Sequence, residues 1–225
     1  MPNFLQNIFE HLQRSQSRVV LREVHGEQCL SKTGAELLAL VERARTWLRS
    51  TGIKPGERCG LIATNSIHWI AVDLALMAEG IVVVPLYHRQ TAGELAAMLK
   101  DCQPRLVLTG NADLSDTLGQ AWPELPPLAM LSDIFSADES APTLSRIRER
   151  LDDELLTIIY TSGTSGEPKG VCLTVGNLNH MTGCTTERLD QLMGTLSGKT
   201  TDPDRIFLYA PMNFAASWML MLSSF

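Results

Sequence analysis

Residues 67–86 leave this chain little choice of architecture. Ile67 to Glu79 is apolar nearly all the way round a helix, with Asp73 its only interior charge. A helix with no polar face must be covered on every side. Ile81 to Leu86 (IVVVPL) follows at once, a continuous apolar run without alternation. Such a strand is buried on both faces, which is the pattern of a parallel sheet between layers of helices. A sheet open to water on one face would alternate instead.

The neighbouring segments continue this succession. Phe4, Leu5, Ile8, Phe9 and Leu12 share one side of a first amphipathic helix. Val19–Leu21 and Gln28–Ser31 flank His25 and Gly26 like a hairpin. Thr33 with Glu36 forms a capping box before a helix whose Leu37, Val41, Ala44 and Leu48 share a face, closed by Gly52. Gly60 to Ala63 reads as a strand. Thr91 with Glu94 repeats the capping box ahead of Leu95, Met98, Leu99 and Cys102, and Arg105 to Leu108 is the next strand. The order specifies an α/β fold, a mostly parallel sheet with helices on both faces. The turn-rich stretches 132–142 and 196–204 are surface connections, neither long enough to divide the chain, so one domain is expected.

The string YTSGTSGEPKG at 160–170 carries the chemistry. Gly163, Gly166 and Gly170 let the backbone approach a ligand closely. Thr161, Ser162, Thr164 and Ser165 supply hydroxyl donors, successive amides can form an anion-binding nest, and Lys169 adds a positive charge. Pro168 stiffens the exit. This is not a Walker P-loop, because two residues rather than four separate Gly163 from Gly166, and Gly170 follows the lysine. The apolar runs LLTIIY (155–160) and VCLT (171–174) read as strands on either side. A loop between two strands has no helix N-terminus to lend positive potential, so hydroxyls and Lys169 must hold the anion. An ordinary Gly/Ser/Thr turn is the bland alternative; the length of the string and its lysine favour a polyphosphate.

This string resembles the phosphate-binding signature of the AMP-forming adenylating enzymes: acyl-CoA synthetases, luciferases and peptide-synthetase adenylation domains. Ser165 stands where threonine is more usual, which keeps the hydroxyl. NSIHW at 65–69, AEG at 78–80 and IVVVPLY at 81–87 are similar to early segments of that family, and the VPLY ending leans toward long-chain fatty acyl-CoA synthetases. Together these cover most of residues 20–220. The resemblance implies activation of a fatty carboxylate by ATP and Mg2+ to an acyl adenylate, release of pyrophosphate, and transfer to coenzyme A. It implies that Thr161, Ser162, Gly163, Thr164, Ser165, Gly166 and Lys169 cradle the β- and γ-phosphates, with Lys169 neutralising charge on the departing pyrophosphate. LYAPMNF at 208–214 is similar to a segment where many members carry Pro-Leu-x-His. Phe214 takes the histidine position, an aromatic that can wall the acyl pocket without imidazole chemistry.

The family's later signatures, including an adenine-packing segment, a ribose-gripping aspartate, a hinge and a small C-terminal domain with its own lysine, are not found in the 225 residues. The expectation is a partial N-terminal adenylation domain over 1–225, without the C-terminal domain and inactive alone. A different class of function is a natural truncated product, a non-catalytic interaction or regulatory module whose apolar end needs a partner or a membrane. A generic P-loop ATPase is disfavoured by the glycine spacing.

Composition removes other classes. A net charge of −6 and a pI near 5.4, with no Lys/Arg cluster, exclude a nucleic-acid partner. Five scattered cysteines and five scattered histidines give neither a disulfide framework nor a metal site, and no signal peptide precedes the first helix, so a cytoplasmic protein with reduced thiols is expected. Residues 206–225 hold no charged residue, yet Pro211, Asn213 and three serines break them into a strand at 206–210, a turn and a helix rather than a membrane anchor. Peripheral membrane association and a homo-oligomer both stay open. Asp152 and Asp153 read as caps of a strand entry, His68 and His88 as structural or exposed, Trp69 and Trp218 as core. His180, on the helix after the loop, could approach the ligand.

Overall fold

A computed structural model of the chain describes residues 3–136, 145–162, 168–195 and 205–225. Helix α1 (Phe4–Arg14) starts at Asn3, which exchanges a full capping box with Gln6 and buries the five apolar residues that the periodicity picks out. Strands β1 (Val19–His25) and β2 (Gln28–Thr33) form a separate antiparallel pair that turns at Gly26. The Thr33–Glu36 box opens α2 (Gly34–Thr51), and Gly52, at φ 78°, ends it in the left-handed conformation.

An alternating series follows: β3 (Arg58–Ile62), α3 (Ile67–Ala78), β4 (Val82–Pro85), α4 (Ala92–Cys102), β5 (Leu106–Thr109), α5 (Ala112–Ala121), β6 (Leu128–Met130) and α6 (Leu131–Phe135). Strands β7 (Leu155–Ser162) and β8 (Pro168–Thr174), then helices α7 (Val175–Thr195) and α8 (Ala215–Ser223), complete the described elements. The main sheet runs β6-β5-β3-β4-β7-β8, parallel throughout except for β8, which pairs antiparallel with β7.

Helices cover both faces because successive strand residues point to opposite sides. Cys59, Leu61, Val83, Leu108 and Ile159 join the core under α1, α2, α3, α7 and α8. Ile62, Val84, Val107 and Ile158 join the second core under α4 and α5. Helix α3 is buried at every residue except His68, as its composition demands. Gly60 lets α4 settle on β3, since a Cβ there would stand 2.9 Å from Leu99 Cδ2.

The structure departs from the sequence reading at 206–210. Residues 205–209 form no strand, and Ile206, Phe207 and Tyr209 are 46%, 80% and 82% exposed. Apolar composition favours a strand only where a neighbour accepts its ladder, and no described strand lies beside this segment. Asn65 instead fixes its end, donating from Nδ2 to Ala210 O at 2.8 Å and accepting from Met212 N at 3.0 Å. Helix α8 does form, with Trp218 and Met221 fully buried. No helix among the described residues is long and apolar enough to cross a membrane.

Candidate active site

The phosphate string opens from a hairpin. β7 and β8 pair Tyr160 with Gly170, Thr161 with Lys169 and Ser162 with Pro168. Gly163, Thr164, Ser165 and Gly166 lie outside the described residues. Directly paired residues share a face of a sheet, so Thr161 and Lys169 stand together on one side, and both are exposed. Tyr160 and Gly170 share the other side.

The register carries the hairpin to the carboxyl edge of the sheet. Val83 of β4 pairs with Thr157 of β7; β4 ends two residues further on at Pro85, and four residues on from the pair the two chains reach Tyr87 and Thr161, the latter next to the last residue of β7. Ligands of open α/β sheets bind outside this edge. Phe214, the residue before α8, comes to the same edge, its ring 6.2 Å from that of Tyr87 and its side chain half exposed. Thr161, Lys169 and Phe214, three of the expected site residues, therefore border one open surface. Ser162 continues β7 into the loop.

Beneath the hairpin, Tyr160 is tied down. Its hydroxyl lies 2.5 Å from Asp101 Oδ2 and 3.0 Å from Met98 O, on α4. Burial and the bond to Asp101 push the phenol well above its ordinary pKa, so it stays protonated. Burial likewise raises the neighbouring Cys102 thiol to about 11, which leaves it unreactive. Sequence reading placed Tyr160 at the start of the string but gave it no role; an amphipathic tyrosine ending an apolar strand was the available signal.

Other expected candidates fall away from this edge. β8 carries the chain roughly 20 Å from Pro168 to Thr174, so α7 starts at the far end of the hairpin, and His180 sits exposed in its second turn, 3.7 Å from Cys184 Sγ. Asp152 is structural: its carbonyl accepts from Gly176 N at 2.8 Å and its carboxylate from Asn179 Nδ2 at 2.6 Å. His68 stacks on Phe135 at 4.2 Å, with its pKa lowered by burial. It helps line a cavity of about 410 Å3 beyond β3 and β5, separated from the hairpin by β4. Among the described residues no group of three acidic, His or Cys side chains could hold a metal ion.

Known proteins share this fold. The model of the AMP-binding enzyme family matches residues 8–225. Long-chain-fatty-acid–CoA ligase FadD15 of Mycobacterium bovis is 27% identical over 193 residues, covering 79% of this chain and 32% of its own. Chondramide synthase cmdD of Chondromyces crocatus is 30% identical over 196 residues, covering 85% of this chain and 5% of its own. Among solved structures, o-succinylbenzoate CoA synthetase (MenE) from Bacillus subtilis superposes with a TM-score of 0.77 at 22% identity, over 100% of this chain and 53% of that one. The N-terminal domain of FACL13 from Mycobacterium tuberculosis gives a TM-score of 0.76 at 26% identity, over 100% of this chain and 55% of that one. This chain thus spans about a third of the fatty acyl ligase and about half of the two solved structures. With the family model matching from α1 to the end of α8 and the phosphate string set in the β7–β8 hairpin, the chain belongs to the AMP-binding enzyme family.

Proposed function

We propose that this chain is the N-terminal part of an adenylation domain that activates a carboxylate with ATP, forming an acyl adenylate and releasing pyrophosphate. The observation that carries the reading is the Thr161–Lys169 pair, exposed on one face at the carboxyl edge of the sheet. In this role Thr161 to Gly166 surround the β- and γ-phosphates, and the Lys169 ammonium balances the charge that builds on pyrophosphate as it leaves the α-phosphate. Holding that leaving group in line with an attacking carboxylate is most of the catalysis such a reaction needs. Solved MenE complexes with ATP and magnesium ion, and with an acyl-adenylate intermediate, are the structural precedent for the ligands. Magnesium enters as the counter-ion of the nucleotide, and no residue of this chain is assigned to it.

The acid is proposed to be a long-chain fatty acid and the acceptor coenzyme A. The VPLY ending of β4 and the relatedness to fatty acyl-CoA ligases support this. Phe214 is assigned to the wall of the acyl site. The elements that would grip adenine and ribose are not identified within 1–225, so turnover is expected only when the rest of an adenylation domain is present. A cytoplasmic setting fits five free thiols.

Carboxylate-dependent ATP–pyrophosphate exchange by the full-length polypeptide tests the reading. Lys169→Ala and Gly166→Val should each lower it about 10²- to 10³-fold with unfolding unchanged; full activity in both rejects the phosphate assignment. Exchange supported by amino or aromatic acids but not by fatty acids would keep adenylation and reject the substrate.

One observation favours a second reading, a non-catalytic interaction module. Ile206, Phe207 and Tyr209 expose apolar surface side by side, and such surface is usually covered by a partner, a second copy or a membrane. A soluble, monomeric 225-residue chain that ignores lipid vesicles would count against it.

A further inference from the structure

The hairpin that carries the phosphate string is held by few lateral bonds. β8 is an edge strand, and β7 joins β4 through one paired position, Val83 with Thr157, reinforced by the Thr157 hydroxyl donating to Val83 O at 2.8 Å. What fixes the hairpin nearer its tip lies on the face opposite Lys169. There the Tyr160 ring packs against the second core, and its hydroxyl meets Asp101 Oδ2 at 2.5 Å and Met98 O at 3.0 Å. A single phenolic hydrogen cannot serve both acceptors well, and the nearer, charged carboxylate takes it.

The anchor point is itself secured. Arg58, at the start of β3, donates to the carbonyl oxygens of Cys102 and Gln103 at 2.8 Å each, which ties the C-terminal end of α4 to the centre of the sheet. Gly170 completes the arrangement. It sits directly across from Tyr160, and a Cβ there would stand 2.7 Å from Ile158 Cγ2 and 3.2 Å from Tyr160 Cζ. Ile158 and the tyrosine ring together fill the space of the missing side chain, so the ring packs against both strands.

We propose that Tyr160 is a positioning residue for the phosphate loop: its hydroxyl, bonded to Asp101, fixes the hairpin so that Thr161 and Lys169 meet the polyphosphate in constant register. This rests on the phosphate-binding reading of the loop. A tyrosine serving only as core filler would lose nothing when its oxygen is removed. A tyrosine that sets the hairpin's height would pass any tilt directly to Thr161, the next residue, and to its partner Lys169. Misplacing a catalytic group by about 1 Å can cost about 10²-fold in rate.

Tyr160→Phe in the full-length polypeptide is the first variant, because it keeps the ring and removes only the oxygen. The expected result is a fall in kcat for carboxylate-dependent ATP–pyrophosphate exchange of about 10- to 100-fold, with KM for the carboxylate and the unfolding midpoint unchanged. Asp101→Ala should cause a similar loss, and the double variant no more than either single one, since both remove the same bond. Gly170→Ala, which displaces Ile158 and crowds the ring, should fall in the same class. Wild-type kcat in Tyr160→Phe, or losses that multiply in the double variant, overturns the proposal. Amide hydrogen exchange across residues 161–170 reads the positioning without turnover and should be faster in Tyr160→Phe. If the wild type catalyses no exchange of pyrophosphate, the phosphate reading fails; unchanged amide protection in Tyr160→Phe would then overturn the anchoring role as well.

Discussion

The indole Nε1 of Trp218 donates a 2.8 Å hydrogen bond to Oδ2 of Asp73, joining α8 to the centre of α3. Both residues are fully buried, and the second carboxylate oxygen, Oδ1, has no hydrogen-bond partner among the described residues. A lone buried carboxylate is costly when ionised. Burial therefore lifts the Asp73 pKa to about 7, and the indole bond offsets only part of that rise.

This carboxyl should make stability fall as pH rises. Its folded pKa is raised, so the native state binds the proton more tightly than the unfolded chain. The stabilising contribution is present below the unfolded value of 3.8 and is lost progressively as pH climbs through about 7. The full change is on the order of 4 kcal/mol. Asp73→Asn keeps an acceptor for Trp218 and removes the titration. Urea unfolding at about pH 5 and pH 8 should show the wild type losing stability relative to Asp73→Asn; parallel curves would mean the folded carboxyl is already ionised at the lower pH, as it is in the unfolded chain.

A second buried polar centre is paired rather than bare. Arg45, 1% exposed, donates to Glu42 at 2.8 Å, to Glu79 at 2.7 Å, and to the carbonyl oxygens of Ser145 and Arg146 at 2.7 and 2.9 Å. Burial alone would raise the Glu79 carboxyl, but bonds from Arg49 and Arg45 reverse this and hold it below its usual range. Its contribution is therefore present above the ordinary carboxylate pKa and is lost as pH falls through the lower, folded value. Arg45→Met should cost about 3–5 kcal/mol by leaving Glu42 Oε2 and two carbonyls without their donor. Calorimetry should record a melting temperature lower by roughly 10 °C, together with faster proteolysis between β6 and β7.

Gly34 offers a test that separates packing from helix propensity. As the first residue of α2 it would gain about 1 kcal/mol of propensity on mutation to alanine. Its amide, however, donates to Ser15 O and Arg18 O at 3.1 Å, and a Cβ would clash with Leu12 O and lie 2.5 Å from Ser15 O. Those oxygens are backbone and cannot swing aside. Gly34→Ala should destabilise by about 1–3 kcal/mol through displacement of α1, and an unchanged denaturation midpoint would show that the loop after α1 yields.

The sequence disclosed most where one residue pattern allowed one environment. The unbroken apolar run of α3 and β4 demanded burial on all sides, and the Thr33–Glu36 and Thr91–Glu94 capping boxes marked two helix starts at single-residue resolution. Helix α5 escaped notice because only Leu118 is buried along it, and β6 because it is three residues long. At the proposed site, type and spacing single out Thr161 and Lys169, which the structure pairs across the hairpin. The Tyr160–Asp101 bond was not, because its partners are 59 residues apart and meet only once β7 lies beside α4. The stretch at 206–210 misled for the converse reason: strand-like composition is a demand for a neighbour and does not create one.

Phe214 tests the acyl half of the proposed site. The side chain is 51% exposed, its ring tilted 39° to that of Tyr87, and it borders the edge where Thr161 and Lys169 stand. An aromatic placed there can bury against an acyl chain while remaining outside the reach assigned to the polyphosphate. Since about half of the side chain is already covered, truncation should cost about 1 kcal/mol of acyl binding, or roughly fivefold in KM for the acid. Phe214→Ala in the full-length polypeptide should therefore raise KM for long acyl chains more than for short ones and leave KM for ATP unchanged. Phe214→His restores the more usual family residue at similar volume and should give an intermediate value. Equal KM for every acid in both variants would remove Phe214 from the acyl wall, and a change in KM for ATP alone would move it to the nucleotide side.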